Sequence, residues 1–462
     1  DSSVERDTIT YNSSISACEK GGDYLNASQL FRLMTLTSVE RDIVTYNAMA
    51  SAFGQDGEWV QALQLLREMA KDQLETDTIT STAVIAACGK GAAWLKALQL
   101  LHEMAISRTE RNIITYNASI SACATVNELY PALQLLHDMA QSRVFRDTIS
   151  YNAAISCCDD GADWCMALQL LREMEDTHID RNAITYNAGI SACEGSGKWQ
   201  EALLLLHEMG SMGVQRDTIT YNSAISACAK GGDHSFALQL FHQMTIISVQ
   251  KDIFTYNAMA SAFGRDREWV QALQLLREMV NDQVPPDTIT YTAVIDGCGK
   301  ALSWFRAFQL FDEMADSGIE RDILAYHGLM GACVTGTQLY PALQLLHDMA
   351  QSRVCGDTIS YTAAIVCCGE SGEWCTALQL LREMEDTHID RTTITYNVGI
   401  SACARSGQWQ EALLLWNEMG SMRVQRDTIT CNSAISACTN GGDYSYASQL
   451  FRQLTLTIVE SS

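Results

Sequence analysis

Asparagine recurs directly after tyrosine along the whole chain, in the phrase Thr-Tyr-Asn or a close variant, as at Asn12, Asn47 and Asn117. A primary amide offers both a hydrogen-bond donor and an acceptor, so a row of such amides suits recognition of the polar edge of a ligand. The sequence contains no His-Glu-x-x-His, no Gly-x-x-x-x-Gly-Lys, no nucleophile elbow and no Cys-x-x-Cys. We therefore expect a binding protein and not an enzyme, with no cofactor and no metal site.

The Tyr-Asn phrase returns every 35 residues without an insertion, which identifies the chain as an array of repeats. When the Thr of "TITYN" is position 1, thirteen repeats run from 8–42 to 428–462. Residues 1–7 match the end of a preceding repeat, so we expect a longer array. A block of six repeats, 43–252, is duplicated as 253–462.

Each repeat has the pattern of two helices joined by a short turn. Positions 4, 8 and 11 of the first helix are apolar, as in Tyr11, Ile15 and Cys18, which gives one stripe for burial. The Asp at position 35 of the preceding repeat suits an N-cap for this helix. The second helix starts near position 17, usually Trp, and carries apolar residues at positions 20, 21, 23, 24 and 27. Neither helix can bury its stripe alone, so we predict an all-α, right-handed α-solenoid superhelix of thirteen helical hairpins forming a single domain over 8–462.

Cysteine usage supports a buried structural role for the first-helix stripe. Eleven of the seventeen cysteines stand at position 11, where Phe53 and Phe263 substitute for them, so we interpret the position as a packing site in a reducing compartment. These cysteines are Cys18, Cys88, Cys123, Cys158, Cys193, Cys228, Cys298, Cys333, Cys368, Cys403 and Cys438.

Overall composition fits a folded protein with an acidic surface. Hydrophobic residues make up 47% of the chain, and no apolar run is long enough for a membrane span. The formal net charge is −24, which repels a polyanion at long range and attracts a basic partner.

The 35-residue unit, "TYN" in the first helix, Ala at position 20, the Leu pairs and Met at position 27 resemble the pentatricopeptide repeat (PPR) proteins. The resemblance covers the whole chain. The array is similar to those of the P type, and its repeats resemble those of algal and protist members more than those of land plants. Position 34, often Pro in plant repeats, is mostly Arg here. The resemblance implies binding of single-stranded RNA in a mitochondrion or chloroplast, with one base per repeat and effects on RNA stability, processing or translation.

In this family position 2 packs against the face of a base. Helix geometry places positions 2, 5, 9 and 12 on one stripe that is separate from the buried one, and we expect all four to face the ligand. The resemblance assigns the base-packing role to Ile9, Val44, Ile79, Ile114, Ile149, Ile184, Ile219, Phe254, Ile289, Leu324, Ile359, Ile394 and Ile429.

The resemblance also implies that positions 5 and 35 of one repeat together hydrogen-bond a base. Carried over residue by residue, U is implied for the pairs Asn12 with Asp42, Asn47 with Asp77, Asn117 with Asp147, Asn187 with Asp217, Asn222 with Asp252, Asn257 with Asp287 and Asn397 with Asp427. The remaining assignments are A for Thr82 with Asn112, C or U for Asn152 with Asn182, G for Thr292 with Asp322 and C for Asn432 with Ser462. The pairs His327 with Asp357 and Thr362 with Thr392 lie outside the common code, so the expected target reads UUAU(C/U)UUUGNNUC from 5′ to 3′.

Basic residues near the phosphates are expected at position 13, and only six repeats keep them. They are Lys20, Lys90, Lys230, Arg265, Lys300 and Arg405, whereas Asp160 and Glu370 occupy the same position in two other repeats. Together with the net charge, this departure keeps a second interpretation open. In that alternative the chain is an acidic scaffold for basic protein partners, or a structural subunit of a large organellar assembly, because Asn and Asp at these positions also follow from block duplication and helix capping.

Overall fold

The computed structural model describes residues 7–159 and 163–451, and these residues are helical with no strand among them. The chain divides into two compact units, Asp1–Asp233 and His234–Ser462. The boundary falls between the two helices of the seventh repeat and does not coincide with the boundary of the duplicated blocks. A single solenoid domain over 8–462 therefore stays a prediction, and each unit is described by itself.

The helices follow the predicted repeat, with odd numbers for first helices and even numbers for second helices. In the first unit they are α1 (Thr8–Lys20), α2 (Tyr24–Leu36), α3 (Ile43–Asp56), α4 (Trp59–Lys71), α5 (Thr78–Lys90), α6 (Trp94–Ile106), α7 (Ile113–Ala124), α8 (Leu129–Gln141), α9 (Thr148–Ser156), α10 (Trp164–Asp176), α11 (Ala183–Gly195), α12 (Trp199–Ser211) and α13 (Thr218–Gly231). In the second unit they are α14 (His234–Ile246), α15 (Ile253–Asp266), α16 (Trp269–Asn281), α17 (Thr288–Lys300), α18 (Trp304–Asp316), α19 (Ile323–Thr335), α20 (Leu339–Gln351), α21 (Thr358–Ser371), α22 (Trp374–Asp386), α23 (Thr393–Arg405), α24 (Trp409–Ser421) and α25 (Thr428–Asn440), and residues 444–451 are also helical.

Packing within each unit is that of an α-solenoid, which confirms the predicted all-helical fold class. Each first helix packs against the first helices of the repeats before and after it, as α3 does against α1 and α5. It also contacts the second helix of its own repeat and that of the preceding repeat, whereas consecutive second helices in the described residues make no such contact. The first helices therefore form a closely packed layer, and gaps remain between the second helices.

The core consists of the two stripes that the sequence indicates. In the fourth repeat, Tyr116, Ile120 and Cys123 on the first helix are fully buried, as are Ala132 and Met139 on the second. All seventeen cysteines are free thiols, and the position-11 cysteines are buried except for Cys18, which is half-buried. No helix among the described residues has the length and apolarity to cross a bilayer.

At five junctions in the described residues, a cluster of three side chains links one repeat to the next on the second-helix side. Arg181 at position 34 lies 2.6 Å from a carboxylate oxygen of Glu208 and 5.6 Å from the ring centre of Tyr186. The Tyr186 hydroxyl donates to the same carboxylate at 3.0 Å. Burial and this hydrogen bond raise the pKa of Tyr186 to about 12. Equivalent clusters are built on Arg41, Arg146, Lys251 and Arg391.

Where position 14 is Gly, tryptophan at position 17 of the preceding repeat packs against it. A Cβ on Gly91 would clash with Cδ1 of Trp59 and lie 2.8 Å from the carbonyl oxygen of Gly57. The same relation holds for Gly231 with Trp199. The copy of Gly91 in the second block is Ala301, which follows Trp269, so a methyl group at this position requires a shift of the tryptophan ring.

We predict that Gly91→Ala lowers stability by about 1 kcal/mol, because the Trp59 ring must shift to make room for the methyl group. The matched control is Gly331→Ala, because Gly331 lies in an exposed part of α19 with no other atom within 4 Å of an added Cβ. Helix propensity predicts a gain of up to about 1 kcal/mol there. Urea unfolding followed by circular dichroism tests both, and equal midpoints for the two variants would contradict the packing account.

We also predict that a maleimide modifies Cys165, Cys355 and Cys375 in the folded, reduced protein, because these three thiols are exposed. Burial raises the pKa of Cys123 to about 11 and that of Cys193 to about 12, so the core thiols are both inaccessible and protonated. Mass spectrometry before and after denaturation counts the modified sites. Rapid labelling of core cysteines in the folded state would show that the stripe is open.

Candidate functional site

The position-2 side chains form a row of exposed apolar groups along the first helices. All thirteen are exposed, from Val44 at 52% to Ile9 at 73%. A soluble protein usually hides apolar side chains that recur so regularly, and a contiguous exposed apolar patch is typical of a binding surface.

Behind this row, positions 5 and 35 of one repeat are hydrogen-bonded to each other. In the first repeat the Asn12 amide donates to Oδ1 of Asp42 at 2.9 Å. The same bond joins Asn47 to Asp77 (3.0 Å), Asn117 to Asp147 (3.1 Å), Asn187 to Asp217 (3.4 Å), Asn257 to Asp287 (3.2 Å), Asn397 to Asp427 (3.0 Å), and Asn152 to Asn182 (3.4 Å).

A hydroxyl from the following repeat completes this junction. The Thr45 hydroxyl, at position 3 of the second repeat, lies 2.6 Å from Oδ1 of Asn12 and 2.9 Å from Oδ1 of Asp42. It has one proton to donate, and the shorter distance favours Asn12. The amide orientation is thereby fixed, with its nitrogen toward the carboxylate and its oxygen toward the hydroxyl. The same hydroxyl bond joins Thr80 to Asn47, Ser150 to Asn117, Thr185 to Asn152, Thr220 to Asn187 and Thr290 to Asn257.

These bonds leave each amide partly used. One N–H and one carbonyl lone pair of Asn12 are engaged within the protein, and one of each remains for a ligand. The side chain is only 9% exposed. The expectation that positions 2, 5, 9 and 12 all face outward is therefore wrong for position 12 in the repeats where it is buried, such as Gly54 and Ala229, whereas Asp159 at the same position is exposed. At position 5 it holds only for part of a buried amide such as Asn12. First helices pack too closely at Gly54 for position 12 to stay open, since a Cβ there would lie 3.0 Å from the Ala83 carbonyl.

The position-35 residue also caps the next first helix, as the sequence predicts. Oδ1 of Asp147 accepts the backbone N–H of Ser150 at 2.9 Å. Burial by itself would raise the pKa of Asp147, but bonds from the Ser150 amide, the Ser150 hydroxyl and Asn117 outweigh it and hold the pKa below its ordinary value. Asp42, Asp77 and Asp217 show the same balance.

Three repeats of the second unit depart from the common junction. Position 3 of the tenth repeat is Ala325, which has no hydroxyl. The hydroxyl of Thr292, at position 5 of the ninth repeat, is buried without a partner in the described residues. His327 replaces the amide and its Nε2 lies 2.9 Å from Oδ1 of Asp357. In the twelfth repeat the Asn397 carbonyl oxygen has no partner among the described residues, because the hydroxyl of Thr430 from the thirteenth repeat bonds only Asp427.

The remaining predicted pairs lie as follows. Thr82 and Thr362 bond the position-3 hydroxyls of Thr115 (2.8 Å) and Thr395 (3.2 Å), and their position-35 partners Asn112 and Thr392 cap α7 and α23. Asn222 lies on α13 in the first unit and Asp252 caps α15 in the second. Asp322 caps α19, Asn432 is exposed on α25, and Ser462 lies outside the described residues, as does Asp160.

Two cavities show how these elements combine between successive repeats. One of about 560 Å³ is lined by Ile289 and Leu324 from position 2 and by Thr292, Asp322 and His327 from positions 5 and 35. Another of about 340 Å³ is lined by Ile394, Ile429, Asn397 and Asp427. Each cavity is therefore lined both by apolar position-2 side chains and by the polar side chains of positions 5 and 35.

The basic residues of position 13 lie near these cavities, but carboxylates accompany them. Lys300 and Arg265 line the larger cavity and Arg405 the smaller one. Lys300 pairs with Asp296 at 2.6 Å and Arg405 with Glu370 at 2.6 Å. Lys230 pairs with Glu194 at 3.0 Å, and Lys90 donates to the Gln55 carbonyl at 2.8 Å, while Lys20 is exposed. The described residues contain no group of three or more His, Cys, Asp or Glu side chains that is suited to a metal ion.

Comparison with known proteins assigns the repeats to a family. Three sequence profiles match, described as "PPR repeat family" over 41–90, 181–230, 251–300 and 391–440, "PPR repeat" over 219–246, 289–319 and 429–455, and "Pentatricopeptide repeat domain" over 1–56, 99–161, 134–198 and 344–406. Among curated protein sequences, none matches.

Solved structures of similar fold include the crystal structure of the pentatricopeptide repeat protein PPR10 from maize. It is 20% identical, with a TM-score of 0.70 over 98% of this chain and 69% of that one. PPR10 in complex with an 18-nt psaJ RNA element is 19% identical, with a TM-score of 0.56 over 96% of this chain and 79% of that one. At this level of identity the likeness concerns the fold.

The dual role of position 35 leads to a prediction at Asp217, which caps α13 and contacts Asn187. Asp217→Ala should lower stability by about 1 kcal/mol through loss of the cap, whereas Asp217→Asn should be close to neutral at pH 7. Because the folded-state pKa of Asp217 is lowered, its stabilising effect should decline as the pH falls below about 4. Urea midpoints against pH test this, and a wild-type and Asn variant with the same acid response would contradict it.

Proposed function

Because the chain belongs to the pentatricopeptide repeat family, we propose that it binds single-stranded RNA, one nucleotide to a repeat, with each base held between consecutive position-2 side chains. The observation that carries this proposal is the alignment of exposed apolar side chains with a hydrogen-bonding pair behind them, recurring at the repeat period. Fold likeness to PPR10, whose complex with an RNA element has been solved, adds support.

Base packing gives a physical reason for the exposed apolar row. The flat faces of unstacked bases are poorly hydrated, and an Ile or Leu on either side removes both surfaces from water. Ile289 and Leu324 flank one cavity in this manner, and Ile394 and Ile429 flank another. Such packing accepts every base, so it supplies affinity without sequence preference.

Selectivity comes from the chemistry of position 35. An ionised Asp accepts hydrogen bonds and donates none, so it suits the ring N–H of uracil or guanine. The lowered pKa of Asp147 keeps it ionised at neutral pH. Asn112 or Asn182 can instead donate to the ring nitrogen of adenine or cytosine. At position 5 the shorter Thr82 and Thr292 leave more room than Asn, which fits a purine.

The hydroxyl at position 3 adds a difference between repeats that carry Thr at position 5. Thr82 is bonded to Thr115, whereas the Thr292 hydroxyl faces Ala325 and has no partner in the described residues. The two junctions therefore differ in structure, in keeping with a distinct preference at the ninth nucleotide.

The acidic net charge acts against this function but is partly compensated within the protein. Carboxylates at position 26, such as Glu208, pair with position-34 cations on the second-helix side. Lys300 and Arg405 stand beside the base-sized cavities, although Asp296 and Glu370 offset their charge. We propose moderate affinity for a U-rich target in an organelle, where binding occludes or presents a transcript segment.

The first test uses the thirteen-nucleotide RNA UUAUUUUUGAAUC and a scrambled control, measured by fluorescence anisotropy over a salt series. We expect preference for the target and an affinity that falls as salt rises, since phosphate contacts release counterions. Equal binding of the two RNAs, or no binding at low salt, would contradict RNA recognition and favour the scaffold alternative.

The second test changes the preference of one repeat. Asn187→Thr with Asp217→Asn gives the sixth repeat the residues of the third, so the preferred sixth nucleotide should change from U to A by about tenfold. Asn at position 35 keeps the helix cap, so stability should change little. An altered stability with an unaltered base preference would contradict the assigned reading pair.

A further inference from the structure

One junction on the second-helix side lacks the cation that completes the corresponding junction in the other copy of the duplicated block. In the first unit Arg146 lies 2.6 Å from Glu173, and its guanidinium carbon lies 5.5 Å from the ring centre of Tyr151. The Tyr151 hydroxyl donates to the same carboxylate at 2.9 Å. The residue 210 positions later, where the copy of Arg146 belongs, is Gly356.

The junction at Gly356 retains the tyrosine and the carboxylate of the cluster. The Tyr361 hydroxyl donates to Glu383 at 3.0 Å, and Glu383 has no cationic partner within 4 Å in the described residues. A cavity of about 750 Å³ opens beside them. Its walls also include the apolar side chains of Leu343, Leu346, Val354, Leu380 and Ile389.

A second cavity also lies at a junction where the position-34 cation is missing. Position 34 of the eighth repeat is Pro286, and a cavity of about 480 Å³ lies there, lined by Tyr291 and Glu313 among others. Both cavities therefore occur at junctions where position 34 carries no positive charge, next to a tyrosine face and a position-26 carboxylate.

We propose that the cavity beside Gly356 binds an arginine side chain of a partner protein, in the place that Arg146 occupies in the first unit. The guanidinium lies against the Tyr361 ring and forms a charge-assisted hydrogen bond with Glu383. The chain itself provides the template, because Arg146, Tyr151 and Glu173 already form this arrangement. This inference does not rest on RNA binding.

Several features of the cavity favour arginine on a protein over other cations. A planar guanidinium stacks on an aromatic ring and pairs with a carboxylate in a fixed geometry, whereas the lysine ammonium of the Lys251 cluster is a point charge over the Tyr256 ring. Glu383 is the single carboxylate lining the cavity, while Arg353 and His347 line it elsewhere, so a cation is directed to the Tyr361 end. The volume exceeds that of one guanidinium, and the leucine walls suit apolar residues next to the arginine. The net charge of −24 attracts a basic protein.

The test uses a fluorescein-labelled peptide with one arginine between two leucines. Fluorescence anisotropy measures the binding of this peptide to the full chain. The control peptide carries citrulline, which has the shape of arginine without its charge. We expect the arginine peptide to bind about tenfold more tightly than the citrulline peptide. Glu383→Gln should remove that difference. The matched variant Glu173→Gln, where Arg146 fills the site, should retain it.

Gly356→Arg supplies a second variant, because it places the chain's own guanidinium in the cavity. A Cβ there would lie 3.1 Å from Cε2 of Tyr361, so the ring must shift by a few tenths of an ångström. The circular dichroism spectrum of the variant checks that it folds. We expect this variant to bind both peptides equally weakly. Equal binding of the two peptides to the wild type, or undiminished arginine preference in Gly356→Arg, would overturn the proposal.

Discussion

The hydrogen-bonded junction between positions 5, 35 and 3 is the interaction on which the rest of the surface depends. One carboxylate, such as Asp42, caps the helix of the next repeat, receives the amide of its own repeat and contacts the hydroxyl of Thr45. Helix capping, repeat spacing and amide orientation are therefore set by the same few atoms. A ligand that meets this junction finds side chains that are already oriented, which reduces the entropy lost on binding.

Much of the fold follows from the sequence because the period and the apolar stripes are local patterns. Tyr116, Ile120 and Cys123 are spaced for one helix face, and the structure buries all three. The Asp caps could also be predicted from the sequence, since an Asp before a helix accepts its first backbone N–H groups. The exposed position-2 row also agrees with helix geometry, as residues off the buried stripe stay in solvent.

Other features could not be predicted from one repeat at a time. Position 12 is buried where it is small, as at Gly54 and Ala229, because first helices of adjacent repeats approach closely, and a helical wheel for a single repeat does not contain that neighbour. Thr45 bonds Asn12 across a repeat boundary, so its role is invisible until the repeats are stacked. The signal was nevertheless present, since position 3 is Thr or Ser in every repeat except the tenth, where Ala325 stands. The cluster of Arg181, Tyr186 and Glu208 likewise joins three segments that only the fold brings together.

The two faces of the repeats pose different chemical problems for an acidic protein. Apolar side chains dominate the first-helix surface, and the few cations there are offset by carboxylates such as Asp296. On the second-helix side, position-34 cations such as Arg146, Arg181 and Arg391 pair with carboxylates of the next repeat, whereas Thr76, Pro286 and Gly356 carry no charge at this position. Affinity for a nucleic acid must then come mainly from base packing and hydrogen bonds, with a modest dependence on salt.

Selection from a randomised RNA pool tests the central claim most directly, because it imposes no assumed target. If the junctions read bases in chain order, the recovered RNAs should share U at nucleotides 1, 2, 4, 6, 7, 8 and 12, interrupted by A at the third and G at the ninth. Recovery of RNAs without a common register, or with a consensus unrelated to the order of the Asn–Asp pairs, would contradict the account.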